Sequence, residues 1–585
     1  MNYSKILSSF KFKFLLSELK LRLAAKTLSL QLRALLILFI SVFTISGFFL
    51  LYQADKALSV TVPSEGGMLR EGIIGTPRFI NPVLTISDTD RDMTSLIYSG
   101  LMRPSESGLI PDLAEKYELS EDGLVYTFTL KPDLKWSDGK KLTTEDILFT
   151  IQFIQNPDTK SPKRANWEGV EAEIVDERTV NFRLQKPYSP FLENTTIGIL
   201  PKHVWENVLP EQMSLSDFNI NAVGSGPYKI EKVTKSSSGI IASYLLSAND
   251  NFSLKKPFIK KISVKFYPSE KKLIEAYEKN EIDSVSALSP QNMLAMQKAE
   301  SFLKVYQLPR VFAVFFNQND APVFAEKEVR EALTLATDKK LIVREVLKEF
   351  GNTLDGPIPP GSLGYSPAGA NEEQDAQKNK EEAKKLLEKN GWKYNEEEKV
   401  WQKEKKKKEI LKLEFSISTS DVPDLVQTAQ ILKNEWESMG AKVNVKIFEI
   451  GDLEQNVIRP RKYDTLLFGE ILNRDPDLFA FWHSSQRNDP GLNIALYANI
   501  TADKLLEEAR TISDAEKREE KNIKFQKEIN KDKPAIFLYS PNFLYLVPSS
   551  LGGINSKSIT ISSERFSGIN NWYLETKKVW KILEK

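Results

Sequence analysis

The chain has 585 residues, 41% hydrophobic and 27% charged, with Lys+Arg 80 against Asp+Glu 79. That length exceeds a single core and, at roughly one domain per 150 residues, predicts two to four domains or lobes in an ordinary folded body. A net charge of +1 gives no electrostatic basis for nucleic-acid binding. Zero cysteines remove disulfides, thiolate nucleophiles, zinc-thiolate and iron-sulfur sites, and a cysteine-linked lipid anchor. Two histidines, His203 and His483, exclude a multi-histidine metal site, which leaves carboxylate-held metals open. No cofactor is expected.

The first predicted element is a membrane segment. Ala34 to Tyr52, ALLILFISVFTISGFFLLY, holds 19 residues without a charge, and 13 of them are Leu, Ile, Phe or Val. At about 1.5 Å per residue it makes roughly 29 Å of helix, close to a bilayer core. Those 13 residues favour insertion by roughly 4 to 8 kcal/mol on a per-residue transfer scale. Upstream, Lys5, Lys11, Lys13, Lys20, Arg22, Lys26 and Arg33 stand against Glu18 alone, so the positive-inside bias puts residues 1–33 in the cytoplasm as a basic leader. Everything after a linker at 53–62 is then extracytoplasmic, periplasmic or at the cell surface, on a single-pass membrane protein. An uncleaved anchor is favoured over a signal peptide: the apolar run is longer than a signal core, and cleavage after Ala54 puts bulky Tyr52 at the minus-three position.

Beyond the linker, strand and helix signals alternate, which predicts α/β lobes. LVYTFTL, which holds Val125, Phe128 and Leu130, and VNFRL at Val180 to Leu184 read as half-buried strands. Between them LTTEDILFTIQFI opens with a Thr143-x-x-Asp146 capping box and continues with Ile147, Ile151 and Ile154 at helical spacing. Gly224-Ser225-Gly226-Pro227 lacks the third glycine of a dinucleotide fingerprint and predicts a turn before the strand YKI. EKEVREALTLATDKKLIVREVL places Val329, Ala332, Leu333 and Ala336 on one helix face. EEAKKLLEKNGW predicts a helix stopped at Asn390-Gly391, and Ser513 with Glu516 predicts the start of another. Lys405 to Lys408 sit among acidic residues and read as a solvated hairpin rather than a basic patch.

The densest chemistry lies in Glu470 to Ser484, EILNRDPDLFAFWHS. Asp475, Asp477 and His483 form a candidate carboxylate and imidazole cluster for an exported hydrolase. The competing reading makes Asp475-Pro476-Asp477 a turn and helix cap, with Phe479, Phe481 and Trp482 as packing or wall residues. The second reading is preferred, since nucleotide-loop, zinc-protease and nucleophile-elbow motifs are all missing from the sequence. His203, among apolar residues at a helix start in ILPKHVWENVL, is read as structural.

Several stretches together resemble the family 5 extracellular solute-binding proteins of ABC importers, the oligopeptide- and dipeptide-binding group. They run in order from near Gly67 to near Trp572: IPDLAEKYELSEDGLVYTFTLKPDLKWSDGKKLTTEDILFTI, ILPKHVWE, NAVGSGPYKI, VREALTLATDKKLI, GPIPP, AKKLLEKNGW, NRDPDLFAFWHS and DKLLEEAR. The resemblance implies an α/β, two-lobed periplasmic-binding-protein-like clamp of type II with an extra small domain. By position, residues 63–585 would form the solute-binding domain. Lobe I would take about 63–105, 190–308 and 545–585, the extra domain about 106–189, and lobe II about 309–544.

The same resemblance implies a binding protein rather than an enzyme, monomeric, capturing a peptide or other small solute for ABC transporter permease subunits. A non-transport surface sensor on the same clamp is a further alternative. The family's peptide binders pair the peptide amine with an aspartate three residues before the D-P-D segment, and here that position is Leu472. Glu470 or Asp475 is the substitute the sequence offers. Asn81 in FINPVL, Asn317 after VFAVFFN, Trp482 and His483 complete the candidate ligand-binding residues.

Overall fold

The computed structural model of the chain describes residues 29–106, 108–365, 376–405 and 409–581. Most of the basic leader and Lys406 to Lys408 of the lysine run lie outside the described residues. The chain divides into two units, residues 1–64 with 575–585, and residues 65–574.

In the first unit a helix spans Leu30–Leu58, with the Ser29 hydroxyl accepting from Leu32 N at its start. None of its residues is buried, and its length and composition suit a membrane span, a description that a signal sequence also meets. The Thr44 hydroxyl donates to the carbonyls of Ile40 and Ser41, so the helix carries this polar group already bonded. Where the sequence suggested a linker, the helix continues to Leu58, because Gln53 to Leu58 holds no breaker. The β-branched run after it forms strand Ser59–Ser64, paired antiparallel with Glu575–Trp580 so that Val60 faces Val579.

The second unit is organised by one mixed sheet. From one edge its strands are Lys442–Phe448, Glu414–Ser420, Thr465–Ile471 and Arg310–Phe316, then the long Ala535–Pro548. The sheet continues through Ser284–Ser286, Gly66–Ile74, Ile259–Tyr267, Ile241–Ala248 and Tyr228–Lys235. Ala535–Pro548 joins two bodies: its first half pairs with Arg310–Phe316 and its second half with Ser301–Gln307. In the second body both sheet faces are buried. Strand Arg310–Phe316 sends Val311, Ala313 and Phe315 into one apolar core and Val314 and Phe316 into another, which explains why VFAVFF is apolar at nearly every position.

The first body carries a four-stranded antiparallel sheet of Ala114–Leu119, Val125–Leu130, Thr179–Arg183 and Glu171–Ile174. Its buried face is Tyr126, Phe128 and Leu130. Period-two alternation puts Tyr126 on that face and leaves Val125 half-buried on the opposite one, the half-buried strand that the sequence predicts. Helix Thr144–Gln155 covers this sheet, with the Thr143–Asp146 capping box formed and Ile147, Ile151 and Ile154 buried as predicted.

Two helix boundaries differ from the sequence reading. The stretch read as one helix is two, Lys327–Leu335 and Lys339–Leu347, because the Asp338 carboxylate accepts from Leu341 N and starts a second helix. The cap of Ala515–Asp532 is Asp514, accepting from Lys517 N, one residue after the predicted Ser513. Asn390-Gly391 does stop its helix, with Gly391 at φ +87°.

Candidate functional site

A cavity of about 550 Å³ lies where the two bodies meet, within the size range of small-solute sites. Ile73, Asp88, Asp92 and Phe543 line it from the first body. Arg310, Phe312, Asp424, Tyr539 and the strand end Phe468 to Ile471 line it from the second. A second cavity of about 630 Å³ is lined by Val170, Leu184 and Tyr188 near the four-stranded sheet, and by Ile471, Leu472, Asp477, Phe481 and Arg510. Ile471 borders both and is 58% exposed, so the end of strand Thr465–Ile471 is the element that the two cavities share.

Local sequence explains this strand end. The Phe312 and Tyr539 rings stack at 5.1 Å beside it, and a Cβ on Gly469 would come within 2.7 Å of the Phe312 ring. Glycine therefore lets an aromatic wall lie flat on the strand. Glu470, opposite Val311, is fully desolvated, and neither carboxyl oxygen has a hydrogen-bond partner among the described residues. Burial pushes its pKa well above the usual value, since an unpaired carboxylate is costly away from water.

The charges that follow are paired separately. Asp475 bonds Arg518 at 2.5 Å, and Asp477 bonds Arg510 at 3.0 Å and accepts from the Tyr188 hydroxyl at 3.3 Å. The Arg510 guanidinium also lies over the Phe479 ring, 4.5 Å from its centroid. Arg474 bonds Glu564 at 2.8 Å, joining the second body to the C-terminal turn Ser562–Phe566 of the first. Beneath the first cavity, buried Arg565 holds Asp92 at 2.7 and 2.8 Å and Glu71 at 3.1 Å, while Glu71 also accepts from Ser284 and Tyr545.

With this geometry the comparisons are direct. The family model of the bacterial extracellular solute-binding proteins, family 5 middle region, matches residues 108–491. The chain belongs to this family. It is 28% identical over 505 residues to the oligopeptide-binding protein AppA of Bacillus subtilis, covering 84% of this chain and 89% of that one. It is 26% identical over 496 residues to the dipeptide-binding protein of Escherichia coli, covering 79% and 87%. The solved structure of AppA with a nonapeptide matches at TM-score 0.65 and 26% identity, over 88% of this chain and all of that one. NikZ from Campylobacter jejuni with Ni(L-His) matches at TM-score 0.66 and 28% identity, over 86% and 99%. This family 5 protein thus has the two-lobed α/β fold of solute binders, and solute binding is its function rather than the hydrolase or sensor alternatives.

Of the residues singled out from sequence, Glu470 lines the first cavity and Leu472 the second. Leu472 is 2% exposed in the apolar core with Leu478 and Trp482, its N–H donating to Pro309 O. Asp475 pairs with Arg518 instead of capping a helix: the turn Phe479–Trp482 starts at Leu478 without a side-chain cap. Trp482 is fully buried among Phe315, Tyr497, Phe525 and Phe537, in the core of the second body. His483 stacks on Phe479 at 4.1 Å with Nδ1 on Ser485, so Asp475, Asp477 and His483 hold separate partners.

Both asparagines are turn residues. Asn81 accepts from Val83 N and donates to Asn219, and Asn317 accepts from Asn319 and Asp320 N and donates to Arg461 O. His203 bonds Asp138 at 2.9 Å, a surface structural contact. Arg310, Phe312, Asp424, Ile471 and Tyr539 were not singled out from sequence. Leu308-Pro309 at the crossing between bodies was the one signal near Arg310, and the others depend on long-range pairing. Among the described residues no group of three or more His, Asp or Glu is arranged to hold a metal.

Proposed function

We propose that the chain is a membrane-anchored, extracytoplasmic binding protein that captures peptides or a similar small solute between its lobes and delivers them to the permease of an ABC importer. The cavity between the two bodies is the observation that carries this reading, and the names of AppA and the E. coli relative, which bind oligopeptides and dipeptides, support the solute class. The protein acts without chemistry of its own. Lobe I takes about 63–105, 190–308 and 545–585, the extra domain about 106–189 and lobe II about 309–544. The helix Leu30–Leu58 is the anchor, and the body works as a monomer.

The solute bridges both lobes, so its binding favours the closed arrangement that the permease reads. Glu470, whose pKa burial raises, and the strand end at Gly469 and Ile471 are its contacts in lobe II. Leu472, where the family's peptide binders carry an amine-pairing aspartate, borders the second cavity and supplies no charge there.

The test uses the full-length chain in detergent with short peptides of several lengths. Ligand present at 100 times Kd stabilises the folded state by about 2.7 kcal/mol and raises the melting temperature accordingly. No shift across the panel, together with no solute on the native protein by mass spectrometry, would overturn peptide binding. An intact N-terminus on the membrane-purified chain is the expected sign of the anchor; loss of the apolar segment would replace it with a signal peptide.

A further inference from the structure

Arg310 opens strand Arg310–Phe316 where the chain enters the second body, in register with Ile471. It lines the first cavity, and its Nε is buried without a hydrogen-bond partner. Among the described residues its guanidinium makes no ion pair. Among the described residues none of the acidic groups on that wall pairs with it. Asp88, in electrostatic range of Arg310, is held by Arg91 at 2.6 Å, and Asp92 is held by Arg565. Burial raises the pKa of both Glu470 and Asp424, the latter in the first turn of helix Pro423–Met439.

A half-buried guanidinium with unused donors is unfavourable by itself, and its planar fork matches a carboxylate bidentately. We propose that Arg310 is the specificity-determining residue of the cleft, binding a carboxylate of the solute, so that recognition is keyed to the solute's anionic end rather than its amine. This rests on the cleft being the solute site.

The experiment is calorimetric titration of full-length wild type, Arg310→Gln and Arg310→Lys in detergent. The probes are short peptides as free acids, as C-terminal amides and as N-acetylated acids, together with non-peptide dicarboxylates. Wild type is expected to bind free acids at least about tenfold more tightly than amides, the scale of one charge-assisted hydrogen-bonding pair, with a smaller loss on N-acetylation. Arg310→Gln should lose that preference and bind acid and amide alike, with Arg310→Lys between. A purely structural role for Arg310 would weaken both forms equally.

Equal binding of acid and amide by wild type, a comparison needing no variant, would overturn the proposal, as would a preference that persists in Arg310→Gln. Binding of a non-peptide dicarboxylate but no peptide, lost in Arg310→Gln, would uphold Arg310 while removing the peptide reading. Binding of amides but no carboxylate would do the reverse.

Discussion

Arg565 is fully buried, and two carboxylates depend on it, with the Phe566 ring 4.0 Å from its guanidinium carbon. Arg565→Met strands Asp92 and Glu71 in a desolvated site, an expected loss of about 3–5 kcal/mol that lowers the urea midpoint at pH 7.5. Adding Asp92→Asn should recover part of it; full stability in the single variant would show that the network contributes little. Glu470 behaves in the opposite sense. Burial raises its folded pKa above the unfolded value of about 4.5, so the folded state binds more protons than the unfolded chain from that pH upward. Stability therefore falls as pH rises from the ordinary carboxylate range towards the folded pKa. Glu470→Gln cannot ionise, so it should be more stable than wild type at pH 8 and nearly equal to it at pH 4. Parallel pH–stability curves for the two proteins would refute a raised pKa at Glu470.

Helix starts give a sharper test at the scale of elements, because sequence and structure differ there by one residue. Asp514→Ala should cost about 1 kcal/mol, the usual worth of an N-cap, and Ser513→Ala a few tenths, read from paired urea midpoints. The reverse order would restore the sequence assignment. This difference shows what the sequence carried. Capping boxes, stop signals and alternating apolar runs are local, so Thr143–Asp146, Asn390-Gly391 and VNFRL were legible residue by residue. Asp338 was hidden because the apolar spacing of its two helices runs through it without a break. The site was less legible. A buried Trp482 and a wall-lining Phe312 have the same sequence appearance, and only the pairing of Arg310–Phe316 with Thr465–Ile471 and Ala535–Pro548 decides between them.

For the whole molecule, the deciding quantity is the balance between open and closed lobes, since a solute that bridges both binds with an affinity scaled by the closed fraction. Arg474 and Glu564 form an ion pair that spans the two bodies, with side chains 16% and 14% exposed, and so belongs to the partly desolvated class that is costly to break. Glu564 is doubly held, because its carboxylate also accepts from Thr560 N, so it is the fixed partner and Arg474 the movable one. Arg474→Met breaks the bridge and leaves each body's core untouched. If the pair favours closure by about 1–2 kcal/mol, solute affinity should fall about 5- to 30-fold, and the unliganded radius of gyration in small-angle scattering should rise. Saturating solute should return the variant to the wild-type radius, because the closed state remains accessible and is only less populated. An unchanged affinity and radius would mean that closure is governed by the solute contacts and the crossing strand Ala535–Pro548 alone.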